Sequence, residues 1–299
     1  MSDKSILVIC LNPVLQKTLV FSELAIDKVN RTENHFFDIA GKGIHVARVI
    51  KQLGGRAQLL TQCGGRFREM FLEQAQDEEI HLLPIFTRAE LRFCYTLIDR
   101  SAGTITECVE EGSMVESHLE YEVMQSLMSH LDEADVVVIS GSKAPGFSEK
   151  LYPVCVKQAK DKNKQVVLDI RGKDLLDSLP FKPDVLKINR EEFAASFWGN
   201  KESGIDQIKE KMLELYEEFG VISIITHGAD EVFYTANAKV KTAQPPSLNS
   251  KNSVGCGDAF TAALALGLAS KQDVSGIVDF AMETAGKAAL LIRPGRIFD

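Results

Sequence analysis

The sequence predicts an α/β protein built on a mostly parallel sheet with helices on both faces. Three observations carry that expectation. Continuous apolar runs such as Ser5-Ile6-Leu7-Val8-Ile9-Cys10-Leu11 have the pattern of strands buried on both sides. From residue 119 onward such runs alternate with longer helical stretches, as repeated strand–helix units require. Two glycine-bearing turns, one early and one late, each feed directly into a helical stretch.

The first strand ends at Asn12-Pro13. Sheets of this kind open their ligand crevice at strand C-termini, so residues 12–16, with Asn12 and Gln16, are expected near a ligand. Short strands are predicted over 18–21 and 30–37. A helix follows over 44–53, stopped by Gly54-Gly55. Strands over 57–62 and 80–86 flank a helix over 67–76. Residues 92–99 alternate apolar and polar side chains, and 104–109 do so more weakly. With Arg100-Ser101-Ala102-Gly103 between them they read as a hairpin. An antiparallel insertion in a parallel fold suits a lid or a partner surface. Strands are then expected over 135–139, 165–170, 184–188 and 221–226. Helices are expected over 147–161, 191–197, 205–219, 258–269 and 277–291. A second hairpin pairs 232–235 with 239–242.

Composition narrows the function. The chain has 299 residues, 45% hydrophobic, enough for one large core. No apolar run is long enough to span a bilayer, and the first residues lack the pattern of a secretory signal. The net charge of −8 argues against general nucleic-acid binding. Six cysteines without a CxxC pair read as reduced thiols of a cytoplasmic protein. Six histidines show no metal-ligand spacing, which argues against structural zinc.

The late turn is Asn252-Ser253-Val254-Gly255-Cys256-Gly257-Asp258, followed by an Ala/Leu-rich run. A Gly-x-Gly turn entering a helix leaves backbone N–H groups unpaired, and with the helix dipole they can hold an anion, most often a phosphate. Asp258 then stands at the mouth of an anion site, where it can serve as a general base. It can equally be an ordinary N-cap. The early turn is Ala40-Gly41-Lys42-Gly43-Ile44-His45-Val46-Ala47-Arg48. Its glycines allow close approach of a ligand, and Lys42 can reach a hydroxyl or a phosphate.

Together the two turns resemble the GGKGxN and GxGD signatures of the ribokinase-like PfkB family of carbohydrate kinases, and in particular its phosphosugar branch. The resemblance covers nearly the whole chain. It implies one ribokinase-like α/β domain over 1–299, with a small β-sheet lid inserted at about 13–38 and 87–112. It implies a kinase that uses ATP and Mg²⁺ on a sugar phosphate, and a homodimer formed through the lid. The chemistry it assigns is in-line phosphoryl transfer. Asp258 is the base, and the amides of Gly255, Cys256 and Gly257 stabilise the transferring group. Asn12, Gln16, Gly41, Lys42, His45, Arg92 and Ser140 hold the acceptor. Arg92, at the start of the hairpin, suits a phosphate dianion. Lys187, Asn189, Thr226, Gly228 and Ser253 join Gly255 and Gly257 at the nucleotide. Asn189 and Glu192 form an N-x-x-E pair on one helix face that organises Mg²⁺, largely through waters.

Three departures from the family pattern all touch sugar recognition. Gln16 stands where the phosphosugar kinases carry Asp, Ala40 replaces the first glycine, and His45 replaces Asn. These departures leave the identity of the sugar open; the resemblance to the phosphosugar branch implies fructose 1-phosphate as the leading acceptor, with tagatose 6-phosphate second. A kinase of an unphosphorylated sugar or nucleoside, and a sugar-phosphate sensor without turnover, are the remaining alternatives.

Overall fold

The computed structural model describes residues 4–199 and 203–298. Its first part holds β1 (Ser5–Cys10), β2 (Val14–Phe21), β3 (His35–Ala40), α1 (Lys42–Gln52), β4 (Arg56–Gly64), α2 (Arg68–Asp77), β5 (His81–Thr87), β6 (Arg92–Asp99) and β7 (Thr104–Val109). The second part holds α3 (Leu119–His130), β8 (Val136–Ser140), α4 (Leu151–Asp161), β9 (Gln165–Asp169), α5 (Gly172–Ser178), β10 (Val185–Asn189), α6 (Arg190–Trp198) and α7 (Ile205–Phe219). It ends with β11 (Ile222–Thr226), β12 (Val232–Ala236), β13 (Lys239–Ala243), α8 (Cys256–Ala269) and α9 (Val274–Ala289).

The main sheet has nine strands in the order β13-β12-β11-β10-β9-β8-β1-β4-β5. It is parallel from β11 to β5 and turns antiparallel only at the β12–β13 edge. This is the expected ribokinase-like α/β architecture. The period-two alternation of a strand divides the core into two faces. On β1, Ile6, Val8 and Cys10 point into one cluster with α1, α8 and α9. Leu7 and Ile9 point into the other, with α3, α4 and α7. Each such fully buried Leu or Ile stabilises the fold by roughly 1.5–3 kcal/mol.

Helix α8 is buried along its whole length from Asp258 to Ala269. Small alanines along it let the sheet and its neighbours α1 and α9 pack closely. It begins at Cys256 rather than at Asp258, because Gly255 takes the left-handed N-cap position with φ 81. Asp258 therefore sits inside the first turn and is not the cap.

The separate four-stranded sheet has the order β3-β2-β6-β7. The expected β6–β7 hairpin is present, in antiparallel register from Asp99 opposite Thr104 to Cys94 opposite Val109. Its centre, however, is a parallel pair of β2 with β6. Strand β2 starts at Val14, earlier than expected, and β3 runs later, over 35–40. The polar residues Gln16 and Thr18 are buried on β2, which broke the apolar alternation that the sequence would otherwise display. Helix α5 was not anticipated at all; it is a short element whose sequence reads as a turn. All six cysteines are free thiols. Among the described residues no helix is long and apolar enough to cross a membrane.

Candidate active site

The C-terminal ends of β10 and β11, the N-termini of α1 and α8, and one face of the small sheet enclose a cleft of about 620 Å³. Both glycine turns open into it. Gly41, Lys42 and His45 come from the early turn, and Ser253, Gly255, Cys256, Gly257 and Asp258 from the late one. Gln16, Arg92, Lys187, Asn189, Glu192, Thr226 and Gly228 complete the expected set that lines it. Asn12 and Ser140 are not on the wall. The Asn12 amide donates to Ser142 Oγ at 3.0 Å, and Ser140 is fully buried one layer below.

The late turn presents unpaired backbone N–H groups to the cleft, as a Gly-x-Gly turn entering a helix should. Among the described residues the N–H groups of Gly255, Gly257 and Asp258 have no protein acceptor. The Cys256 N–H, by contrast, is spent on the Ser253 carbonyl at 3.3 Å. The Asp258 amide thus takes the place expected of Cys256. The Lys187 ammonium lies against the turn, since a Cβ on Gly257 would stand 2.8 Å from Lys187 Nζ. Burial, helped by the Asp258 charge, pushes the Cys256 thiol up to about 12, so it is no nucleophile at neutral pH.

Asp169, at the end of β9, is the hub of the floor. It is fully buried. Its Oδ1 accepts from Lys42 Nζ at 3.1 Å, and its Oδ2 accepts from Thr261 Oγ at 2.8 Å and from Lys187 Nζ at 3.4 Å. Burial alone would push its carboxyl up, but the ammonium groups of Lys187 and Lys42 outweigh burial and hold it at about 2. Lys42 also donates to Glu192 Oε1 at 3.2 Å. Burial would lower the Lys42 ammonium, yet the charges of Asp169, Glu192 and Asp258 keep it above its ordinary range. Asn189 is the N-cap of α6, its Oδ1 accepting from the Glu192 N–H at 2.7 Å. Capping and cleft exposure are combined in one residue there.

Arg92 reaches across from the small sheet. Its Nη1 donates to the Glu110 carbonyl and its Nη2 to the Asn12 carbonyl, both at 3.1 Å, while Nε is buried without a partner. The Gln16 amide donates to Thr96 Oγ at 2.8 Å, and its Oε1 is buried without a partner.

Several lining residues were not singled out from the sequence. Cys94 and Glu107 face the cleft from the small sheet, and burial raises the Glu107 carboxyl. At the opposite end Pro245, Pro246, Leu248, Met282 and Ala285 form an apolar slot. Their only sequence signal is the Pro-Pro pair after β13; the rest is assembled by packing of α9 against that loop.

The fold and this cleft are those of a phosphotransferase that acts on carbohydrate, and comparison with known proteins bears that out. The model of the pfkB family of carbohydrate kinases matches residues 14–291, and the chain belongs to that family. A tagatose-6-phosphate kinase of Staphylococcus epidermidis is 27% identical over 270 residues, covering 89% of this chain and 86% of that protein. Among solved structures, a possible 1-phosphofructokinase from Thermotoga maritima superposes with a TM-score of 0.87 at 20% identity, covering 97% of this chain and 93% of that one. The tetrameric inhibited form of phosphofructokinase-2 from Escherichia coli gives 0.87 at 21% identity, covering 96% and 94%. At that identity the structures establish a shared fold.

Proposed function

We propose that the chain transfers the γ-phosphoryl group of ATP to a hydroxyl of a phosphorylated ketohexose. Fructose 1-phosphate, giving fructose 1,6-bisphosphate, is the leading acceptor and tagatose 6-phosphate the second. The observation that carries this reading is the continuity of the cleft. It runs from the apolar slot at Pro245 and Met282, through the free amides at Gly257 and Asp258, to the polar face of the small sheet. A nucleotide base fits the slot, its phosphates fit the free amides, and an acceptor fits beneath the sheet.

Asp258 takes the proton of the attacking hydroxyl, and the amides of Gly255, Gly257 and Asp258 meet the developing charge on the transferring oxygens. Lys187 adds a fixed positive charge beside them. Glu192 and Asn189 form a donor set that suits Mg²⁺, which binds through one or two carboxylates and keeps several waters. Among the described residues there is no cluster of three ligands that would make a dedicated cage. When bound, Mg²⁺ supplies charge neutralisation at the nucleotide phosphates. The same Glu192 is held by Lys42, which keeps its carboxylate aimed at the cleft. On the acceptor side, Gln16 Oε1 is free to accept from a sugar hydroxyl, and Glu107 offers the carboxylate that position 16 lacks.

The small sheet is proposed as a lid that also pairs two copies. Its outer strand β7 is an edge, exposed at every residue but Ile105, and proteins normally cover such an edge. A second reading, a kinase of an unphosphorylated sugar or nucleoside, is favoured by Arg92, whose two terminal nitrogens already serve backbone carbonyls.

An ADP-release assay over a panel of sugars and sugar phosphates tests the reading. Turnover is expected with the ketohexose phosphates; turnover with free sugars alone would favour the second reading, and none with any acceptor would sink both. Arg92→Ala is expected to raise KM for the sugar phosphate at least about tenfold, the loss of one charge-assisted contact of roughly 1.5–3 kcal/mol, with KM for ATP nearly unchanged. Equal changes in both constants count against a phosphate contact.

A further inference from the structure

His45 stands where the family pattern has Asn, and its surroundings give it a defined task. It lies on the first turn of α1 and is 4% exposed. Its Nδ1 is 2.8 Å from Oδ2 of Asp258, a residue 213 positions away. A carboxylate oxygen can only accept, so the proton of this bond resides on Nδ1. Nε2 is buried with no partner, so a proton there would be an unsatisfied donor. Among the described residues Oδ1 of Asp258 has no hydrogen-bond partner.

The ring cannot swing away. A Cβ on Gly295, whose φ is +63, would stand 2.3 Å from ring atoms Cγ and Cδ2. A Cβ on Gly255 would stand 2.5 Å from the Gly295 nitrogen and 3.4 Å from His45 Nδ1. The ring is thus stacked between the late glycine turn and the C-terminal turn. That second turn is itself fastened. Arg296 donates to Asp38 at 2.9 Å and to Glu78 at 2.7 Å, Arg293 also pairs with Asp38, and the Asn252 amide donates to the Ile292 carbonyl at 2.8 Å.

We propose that His45 is a positioning residue for the base: its Nδ1–H holds Oδ2 of Asp258, so that Oδ1 alone is presented to the acceptor hydroxyl. The proposal rests on the reading of Asp258 as the base. A carboxylate free to rotate presents either oxygen at many angles; one oxygen tethered to a wedged ring presents the other at one. Orientation of this kind is the reason that a displacement of about 1 Å can cost 10²-fold in rate. In this arrangement His45 acts on the reaction through Asp258. The C-terminal turn becomes part of the catalytic support although it lies outside the cleft wall.

The test is kinetic and spectroscopic. His45→Ala is expected to lower kcat by roughly 10–100-fold, with KM for ATP and for the sugar phosphate each within about threefold of the parent. His45→Asn, whose amide nitrogen reaches nearly the same place and can donate to Oδ2, is expected to recover most of the lost kcat. Gly295→Ala, which drives a methyl into the ring, is expected to resemble His45→Ala and serves if that variant does not fold. In nitrogen-15 spectra of the parent protein, His45 is expected to carry its proton on Nδ1. An unprotonated Nδ1, or a full kcat with a raised sugar-phosphate KM in His45→Ala, overturns the proposal. Asp258→Asn separates the two readings. If it keeps its turnover, the base assignment fails; if it is inactive while His45→Ala keeps full kcat, only the positioning role fails.

Discussion

Asp258→Asn is expected to lower kcat by about 10²–10⁴-fold, the usual loss for a removed general base. The substitution is close to isosteric. The carboxamide oxygen can still accept the His45 Nδ1–H that now reaches Oδ2 at 2.8 Å. The side chain therefore keeps its place while losing the ability to take a proton. A negative charge in the first turn of α8 also stabilises that helix, by roughly 0.3–1 kcal/mol. Melting should consequently fall by no more than a few degrees. Turnover is measured by ADP release with saturating ATP and sugar phosphate, and folding by thermal denaturation of the same preparation. A folded variant that retains near-normal turnover removes Asp258 from the role of base.

Asp169→Ala is expected to destabilise the protein by about 3–5 kcal/mol, the cost of leaving buried charge without its counter-ion. The reason is local. Lys187 is 4% exposed, and Asp169 is the carboxylate it is paired with at 3.4 Å. Lys42 loses one of its two carboxylate partners in the same step. Urea denaturation measures the loss; a change below about 1 kcal/mol would mean that water reaches the floor and solvates both ammonium groups.

The same carboxyl makes a pH prediction. Its folded value of about 2 lies below the roughly 3.9 of an unfolded Asp, so its contribution is present above about pH 4. It is lost as pH falls through about 2. Parent stability should therefore decline between about pH 4 and pH 2, and the decline should be shallower in Asp169→Asn. Identical acid slopes in the two proteins would show that other carboxylates govern acid unfolding.

What the sequence disclosed and what it hid follow from the range of the interactions. The parallel strands were legible because burial on both faces forces continuous apolar runs, as in 5–11 and 135–139. The two glycine turns were legible because close backbone approach leaves only glycine as a solution. The start of α8 was misplaced because Asp is a good cap, whereas the left-handed φ of Gly255 ends the turn earlier. No local feature marks Asp169 as the hub of the floor. Its partners Lys42 and Thr261 lie 127 and 92 positions away, and no local pattern reports such a pairing. Lys42 lines the cleft as expected of the early turn, and its ion pairs with Asp169 and Glu192 could not be read from the sequence. The apolar slot and the carboxylate of Glu107 were invisible for the same reason, since each is a wall only after distant elements meet.

The small sheet has a minor cluster of its own, Val14, Ala40 and Cys94, while its other side contributes Leu15 and Ile39 to one of the clusters that pack the main sheet. Substitutions on its inward face can thus accumulate without disturbing the packing that sets α8 in place. New acceptors are accordingly open to this scaffold through drift in four peripheral ribbons, while the reaction they feed into stays the same. Gln16 and Glu107 are where such a history would leave its trace.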